Sequence, residues 1–240
     1  MQLCVYIGLE QPLILPINYN HILQSAIYRS LGILPGYATY LHEAGFGKEK
    51  RQYRMFQFGQ LKGDYRIENR KIIFESNVMF EVRSPEPLLL NLLVESFRKN
   101  GITFGDRCYR DIEMELFDYT VEESELRIQM CSPVTVYTTD ADSGTTYYYS
   151  PDEPEFYRAI QQNFYRKYQA YYGVAPTSMI QISEMDESKE RKFVTKYQGN
   201  YITGWFGRFL LSGERKYLDF LYQTGLGAKN AQGFGMFQIL

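Results

Sequence analysis

Two features of this 240-residue chain carry residue types suited to chemistry on a charged substrate. The first is histidine, present only as His21 and His42. Imidazole is the side chain whose ordinary pKa suits proton transfer near neutral pH. His42 closes a short segment, residues 36–43, that reads as a helix and is followed by Gly45. A histidine at a helix C-terminus is stabilised as imidazolium, the form a general acid needs. The plainer alternative is a surface or packed histidine. The second feature is the segment Gly225-Leu226-Gly227-Ala228-Lys229-Asn230-Ala231-Gln232-Gly233-Phe234-Gly235. A dinucleotide fingerprint needs a glycine where Asn230 stands and a helix afterwards, and a P-loop needs Gly-Lys-Ser/Thr. Neither is present. Gly225, Gly227, Gly233 and Gly235 allow close approach of backbone N–H groups to an anion such as a phosphate, with Lys229 adding charge. They equally allow a simple turn between a helix and an edge strand.

The elements that position these residues follow from periodicity. Residues 2–9 read as a strand, and Ile22, Leu23, Ala26, Ile27 and Leu31 form a helical stripe with Asn18 or Asn20 as cap. Residues 55–61 and 71–82 read as strands. Ser84-Pro85-Glu86 starts a helix whose inner face is Leu89, Leu92, Leu93, Ser96 and Phe97, and Asn100-Gly101 ends it. Residues 102–104 and 112–119 are extended. That order is β-α-β-β-α-β, the ferredoxin-like plan. It recurs. Residues 126–138 are extended, and Asp152 with Glu155 makes a capping box for a helix carrying Phe156, Ile160, Phe164 and Tyr168. Residues 178–183 and 193–211 supply strands. Tyr217, Leu218, Leu221 and Tyr222 mark a helix stopped by Gly225, and residues 234–240 close the sheet. The expected fold is therefore α+β, two tandem ferredoxin-like (RRM-like) domains over residues 1–122 and 123–240. The acidic stretch near 118–125 is the expected boundary.

Composition bounds the function. Hydrophobic residues at 45% and charged residues at 22% describe a folded chain rather than a disordered one. The formal net charge of −2 counts against a nucleic-acid binder. Local runs counter it: Lys48, Lys50, Arg51 and Arg54 in one, Lys189, Arg191, Lys192 and Lys196 in another, while acid gathers from Asp111 to Glu125. Each run by itself reads as a solvated face. The 22 tyrosines, among them Tyr147-Tyr148-Tyr149, suit either a core edge or base stacking. Three cysteines without metal-type spacing argue against a disulfide framework or zinc site and fit a reducing cytosol, so the expected location is cytoplasmic. No apolar run reaches the ~18 residues of a membrane span, and the N-terminus reads as a strand rather than a signal peptide.

The glycine pattern, Gly-apolar-Gly then five residues then Gly-aromatic-Gly at the end of a tandem ferredoxin-like chain, resembles the signature loop of the RAMP superfamily. Residues 15–28, Leu-Pro-Ile-Asn-Tyr-Asn-His-Ile-Leu-Gln-Ser-Ala-Ile-Tyr, resemble the first helix of the CRISPR-associated endoribonucleases that cut repeat RNA. Tyr40-Leu41-His42-Glu43-Ala44-Gly45-Phe46, Tyr53-Arg54-Met55-Phe56-Gln57-Phe58 and Ser132-Pro133-Val134 resemble later segments of that family. The resemblance implies metal-independent cleavage without a cofactor: the ribose 2′-OH attacks the adjacent phosphate, leaving a 2′,3′-cyclic phosphate and a 5′-OH. It places the catalytic groups on Tyr28, His42 and Arg54. Arg54 departs from the family's lysine and cannot readily donate a proton, so Lys48 or Lys50 is the alternative cation. His21 reads as structural or RNA-adjacent. Expected RNA contacts are Lys48, Lys50, Arg51, Arg191, Lys192, Lys229 and the loop glycines. The implied partner is precursor CRISPR RNA. Effector-complex subunits and a second copy of the chain are further partner classes, and no membrane is expected. Two rivals stand beside this reading: a non-cutting RAMP subunit that holds guide RNA, which the loop fits equally, and an unrelated ferredoxin-like protein binding a small metabolite, which the slight excess of acid favours.

Overall fold

The computed structural model describes residues 1–47, 52–185, 190–197 and 199–240. The first half runs β1 (Gln2–Gly8), α1 (Asn20–Leu31), α2 (Tyr37–Glu43), β2 (Gln57–Phe58), β3 (Asn77–Arg83), α3 (Pro87–Asn100) and β4 (Ile112–Phe117). Its sheet has the order β2-β3-β1-β4, antiparallel throughout. Alternation along β1 sends Leu3, Val5 and Ile7 inward. They meet the stripe Leu23, Ala26, Ile27 and Leu31 of α1 and the stripe Leu89, Leu90, Leu93 and Phe97 of α3. A small sheet pairs Tyr65–Glu68 and Lys71–Phe74, from the β2–β3 connection, with Leu13–Pro16, from the β1–α1 connection.

The second half repeats the plan with β5 (Glu125–Met130), α4 (Pro154–Tyr172), β6 (Gln181–Glu184), β7 (Arg208–Ser212), α5 (Arg215–Thr224) and β8 (Phe237–Ile239). The sheet order β6-β7-β5-β8 matches the first strand for strand. Leu126, Ile128, Phe156, Ile160, Phe164, Phe209, Leu211, Leu218 and Phe237 form its core. The tandem ferredoxin-like architecture expected from the order of elements is thus the one observed. Among the described residues no helix is long and apolar enough to cross a membrane.

Local details differ from the sequence expectation. The stretch 126–138 is not one strand: β5 ends at Met130, and Tyr137–Thr139 pairs with Thr146–Tyr148 as a separate hairpin. Residues 193–211 hold a long hairpin, Arg191–Tyr197 with Asn200–Phe206, before β7 begins. The Asp152–Glu155 capping box does not form. Glu153 is the N-cap and Pro154 the first helical residue, while the Glu153 carboxylate accepts from the Ser150 N–H (2.6 Å) and the Tyr147 hydroxyl (2.8 Å). Neither Asn18 nor Asn20 caps α1. Tyr19 is the N-cap, and both asparagines are used in contacts across the halves.

A buried polar network joins the halves. Arg83 of β3, 3% exposed, pairs with Glu81, donates to the Phe237 carbonyl at 2.7 Å and lies 3.8 Å from the Tyr222 ring centroid. The Gln57 amide donates to the Tyr222 carbonyl (2.7 Å), and the Tyr222 hydroxyl bonds Gln2 (2.8 Å). Met55 packs in the second core, and Ala231 packs on the first.

Candidate functional site

The site is built on α1. Four-residue spacing places Asn20, Gln24 and Tyr28 along one side of this helix, about 6 Å apart per step. The N-terminal part of that side docks on the glycine-rich segment: Asn20 donates to the Gln232 carbonyl (3.1 Å) and Gln24 to the Ala231 carbonyl (2.6 Å). The next turn presents Tyr28, half-buried, with its ring edge-on to Phe56 at 5.8 Å.

The imidazole of His42 stands edge-on to Tyr28 with ring centroids 5.7 Å apart. His42 lies in the last turn of α2 and is exposed. Its helix ends through Ala44 and Gly45, whose N–H groups both reach the Tyr40 carbonyl at 2.9 Å. Gly45 has φ +55, and a Cβ there would come within 2.6 Å of the Tyr53 carbonyl, so only glycine fits the close return of the chain. Phe46 and Tyr53 then exchange two backbone hydrogen bonds of 2.7 Å, bringing Arg54 back beside α2. The Arg54 guanidinium donates to the carbonyls of His42 and Gln52 and lies near enough to the Tyr28 phenol to pull its pKa down. Tyr28, Ala38, Thr39, His42 and Glu43 line a depression of about 260 Å³. The three residues assigned by resemblance to catalysis are therefore neighbours. Burial pushes the Tyr28 phenol up to about 12, against the opposing pull of Arg54. Near neutral pH that phenol keeps its proton and is available as a hydrogen-bond donor rather than as a base.

The glycine segment differs from an open anion cradle. Gly225, Gly227, Gly233 and Gly235 are all buried. The N–H groups of Gly225, Gly233 and Gly235 are bonded to the carbonyls of Leu221, Asn230 and Pro133. The glycines serve close packing: a Cβ on Gly235 would stand 2.0 Å from the Leu226 carbonyl oxygen, and one on Gly227 2.6 Å from that of Thr135. The face left open is Ala228 to Gln232, including Lys229. Lys229 adopts φ +62 and holds its ammonium 5.0 Å from the Tyr137 ring centroid. Burial lowers its pKa.

Beneath the loop lies a lysine that sequence reading passed over. Lys167 of α4 is 2% exposed and donates to the carbonyls of Gly225 (2.6 Å) and Thr224 (3.3 Å) and to the Asn230 side-chain oxygen (2.9 Å). Asn230 in turn donates to the Leu226 and Phe234 carbonyls. A signal was present: Lys167 falls on the apolar stripe of α4, seven residues after Ile160 and three after Phe164.

The hairpin of Arg191–Tyr197 and Asn200–Phe206 flanks the loop. Its inner face places Tyr197 and Ile202 against Phe234, and the Tyr197 hydroxyl bonds Gln24. Its outer face carries Lys192 above Trp205 (5.7 Å) and Lys196 above Tyr201 (5.9 Å), with Tyr201 68% exposed. Arg191 lies over Phe206 at 4.6 Å. Such cation-capped rings are surfaces on which bases can stack. Tyr147 is exposed and bonded to Glu153, whereas Tyr148 packs against Tyr137 at 5.5 Å. His21 bonds the Asn18 carbonyl (3.0 Å) and meets Tyr197 edge-on. Lys48, Lys50, Arg51 and Lys189 lie outside the described residues.

Two ferredoxin-like halves joined through a buried glycine loop define the class of this protein, a tandem ferredoxin-like fold. The family model described as "CRISPR associated protein Cas6, C-terminal" matches residues 115–239, and the chain belongs to the Cas6 family. It is 29% identical over 230 residues to the CRISPR-associated endoribonuclease Cas6 of Pyrococcus furiosus, covering 93% of this chain and 83% of the relative. It is 22% identical over 231 residues to the CRISPR-associated endoribonuclease Cas6 1 of Methanocaldococcus jannaschii, covering 93% and 86%. Among solved structures, a Cas6-related protein from Pyrococcus furiosus superposes with a TM-score of 0.83 at 21% identity, covering 100% of this chain and 98% of that one. A structure described as a RAMP protein binding different RNA substrates gives 0.82 at 21% identity, covering 100% and 99%.

Proposed function

We propose that this protein is an endoribonuclease that cuts CRISPR repeat RNA, without a metal ion, by attack of a ribose 2′-OH on the adjacent phosphate. The observation that carries the reading is the meeting of Tyr28, His42 and Arg54 one helix turn from the docked glycine loop. In the proposed reaction His42 exchanges a proton with the reacting oxygens, its exposed ring leaving it open to substrate. Tyr28 donates a hydrogen bond that orients the 2′-OH or the phosphate. Arg54 fixes the backbone of His42 and supplies positive charge toward the phosphorane. The 2′ oxygen forms its bond to phosphorus as the 5′ oxygen leaves with a proton, giving a 2′,3′-cyclic phosphate and a 5′-OH. The open part of the loop, Ala228–Gln232, and the hairpin with Arg191, Lys192 and Lys196 guide the strand through phosphate contacts and base stacking. The names of the two relatives, both CRISPR-associated endoribonucleases, support this reading over a non-cutting subunit.

The test is a labelled repeat RNA incubated with the protein in chelator. Cleavage should persist, stop when the sugar before the cut is 2′-deoxy, and fall by about 10²-fold or more in His42→Ala. Parent-rate cutting by His42→Ala would remove His42 from the mechanism.

A further inference from the structure

Lys167 is a charge in an unusual place. Its ammonium bonds only neutral oxygens, those of Thr224, Gly225 and Asn230, and among the described residues no carboxylate bonds it. A buried cation without a counter-ion is costly to fold. Its position gives it a use. The oxygens it holds belong to the end of α5 and to the loop, and the other side of that loop is the open face Ala228–Gln232. The loop then bonds α1 at Asn20 and Gln24, one turn before Tyr28.

We propose that Lys167 is a positioning residue that holds the glycine loop from beneath, and that RNA bound on the loop's open face serves as its missing counter-ion, so that binding takes up a proton at Lys167. The inference rests on the reading of this surface as an RNA site. Burial alone holds the Lys167 ammonium down to about 7 in the free protein. On the elements packed around it the titratable groups include Tyr168 and Tyr171 on α4, Tyr222 on α5, Lys229 in the loop and, from the first half, Arg83, which bonds the Tyr222 carbonyl and pairs with Glu81. A polyanion at the loop favours the charged lysine and raises its pKa. The sign follows from linkage. Below about pH 7 the lysine is charged with or without RNA, and affinity owes nothing to proton uptake. Above it, affinity falls as pH rises, by at most about tenfold per pH unit, until the lysine of the complex also deprotonates.

The experiment measures binding of a 2′-O-methylated repeat RNA by calorimetry from about pH 6 to about pH 9, in buffers of different ionisation enthalpy. Wild type should take up a fraction of a proton near pH 7.5, and its affinity should fall by about tenfold across the alkaline half of the range. Lys167→Met should lose the part of this dependence that Lys229 does not supply. Lys167→Arg, charged throughout the range, should bind with a flatter profile than wild type. Binding by wild type without proton uptake, or profiles unchanged in the variants, overturns the role of Lys167 alone. Failure of wild type to bind the RNA at any pH overturns the functional reading itself.

Discussion

At the scale of single residues, the state of Tyr28 decides what it can do. A phenol pushed up to about 12 is protonated across the range in which enzymes of this kind are assayed. Tyr28→Phe should lower the cleavage rate by about tenfold to about 10²-fold and leave RNA affinity nearly unchanged, because one hydrogen bond to the reacting groups is lost while the ring contacts with His42 and Phe56 remain. The pH–rate profile should show no basic limb that disappears in the variant; such a limb below about pH 10 would contradict the donor role. His42 stood out in the sequence as one of only two imidazoles, and the resemblance assigned Tyr28, His42 and Arg54 together. The partners that align them were not legible. Gln24 is an ordinary amide in a helix, and nothing local announces that it will bond Ala231, 207 positions away.

At the scale of elements, the glycine segment acts through shape. Gly235 has φ +79, and a side chain there would meet the Leu226 carbonyl carbon and oxygen and the Asn230 amide. Gly235→Ala should cost about 3 kcal/mol or more, lowering the thermal midpoint by about 6 °C or more. Gly36→Ala, at φ +81 with nothing within 4 Å, should cost only about 1–2 kcal/mol. Calorimetric melting of the two variants side by side separates backbone strain from the clash. Elements with a clean apolar period, α1, α3 and α4, were readable because the core demands one face of each. The two hairpins were obscured because apolar and β-branched residues dominate 126–138 and 193–211, although Ser132-Pro133, Gly199-Asn200 and Gly207 mark the places where one sheet is left and another begins. The caps misled for a different reason. Asn18 and Asn20 are good capping residues, but the second half of the molecule offers them carbonyls at Lys196 and Gln232.

At the scale of the whole molecule, the two halves are held by the charge pair Arg83–Glu81 and the carbonyls it reaches across the junction. Arg83→Leu strands Glu81, 7% exposed, and should destabilise the protein by about 3–5 kcal/mol, whereas Arg83→Leu with Glu81→Leu should recover much of the loss. Chemical denaturation of wild type and the two variants measures both. Equal loss in the single and double variants would show that the Arg83 bonds to the second half, and not the stranded acid, dominate. The side of α1 that carries Asn20, Gln24 and Tyr28 has a further consequence. On the proposed reading it is a ruler, with one end pinned to the glycine loop and the other at the bond to be broken. On that reading the cut is chosen by how far a nucleotide lies from the grip, and spacing by itself directs the break to one repeating address.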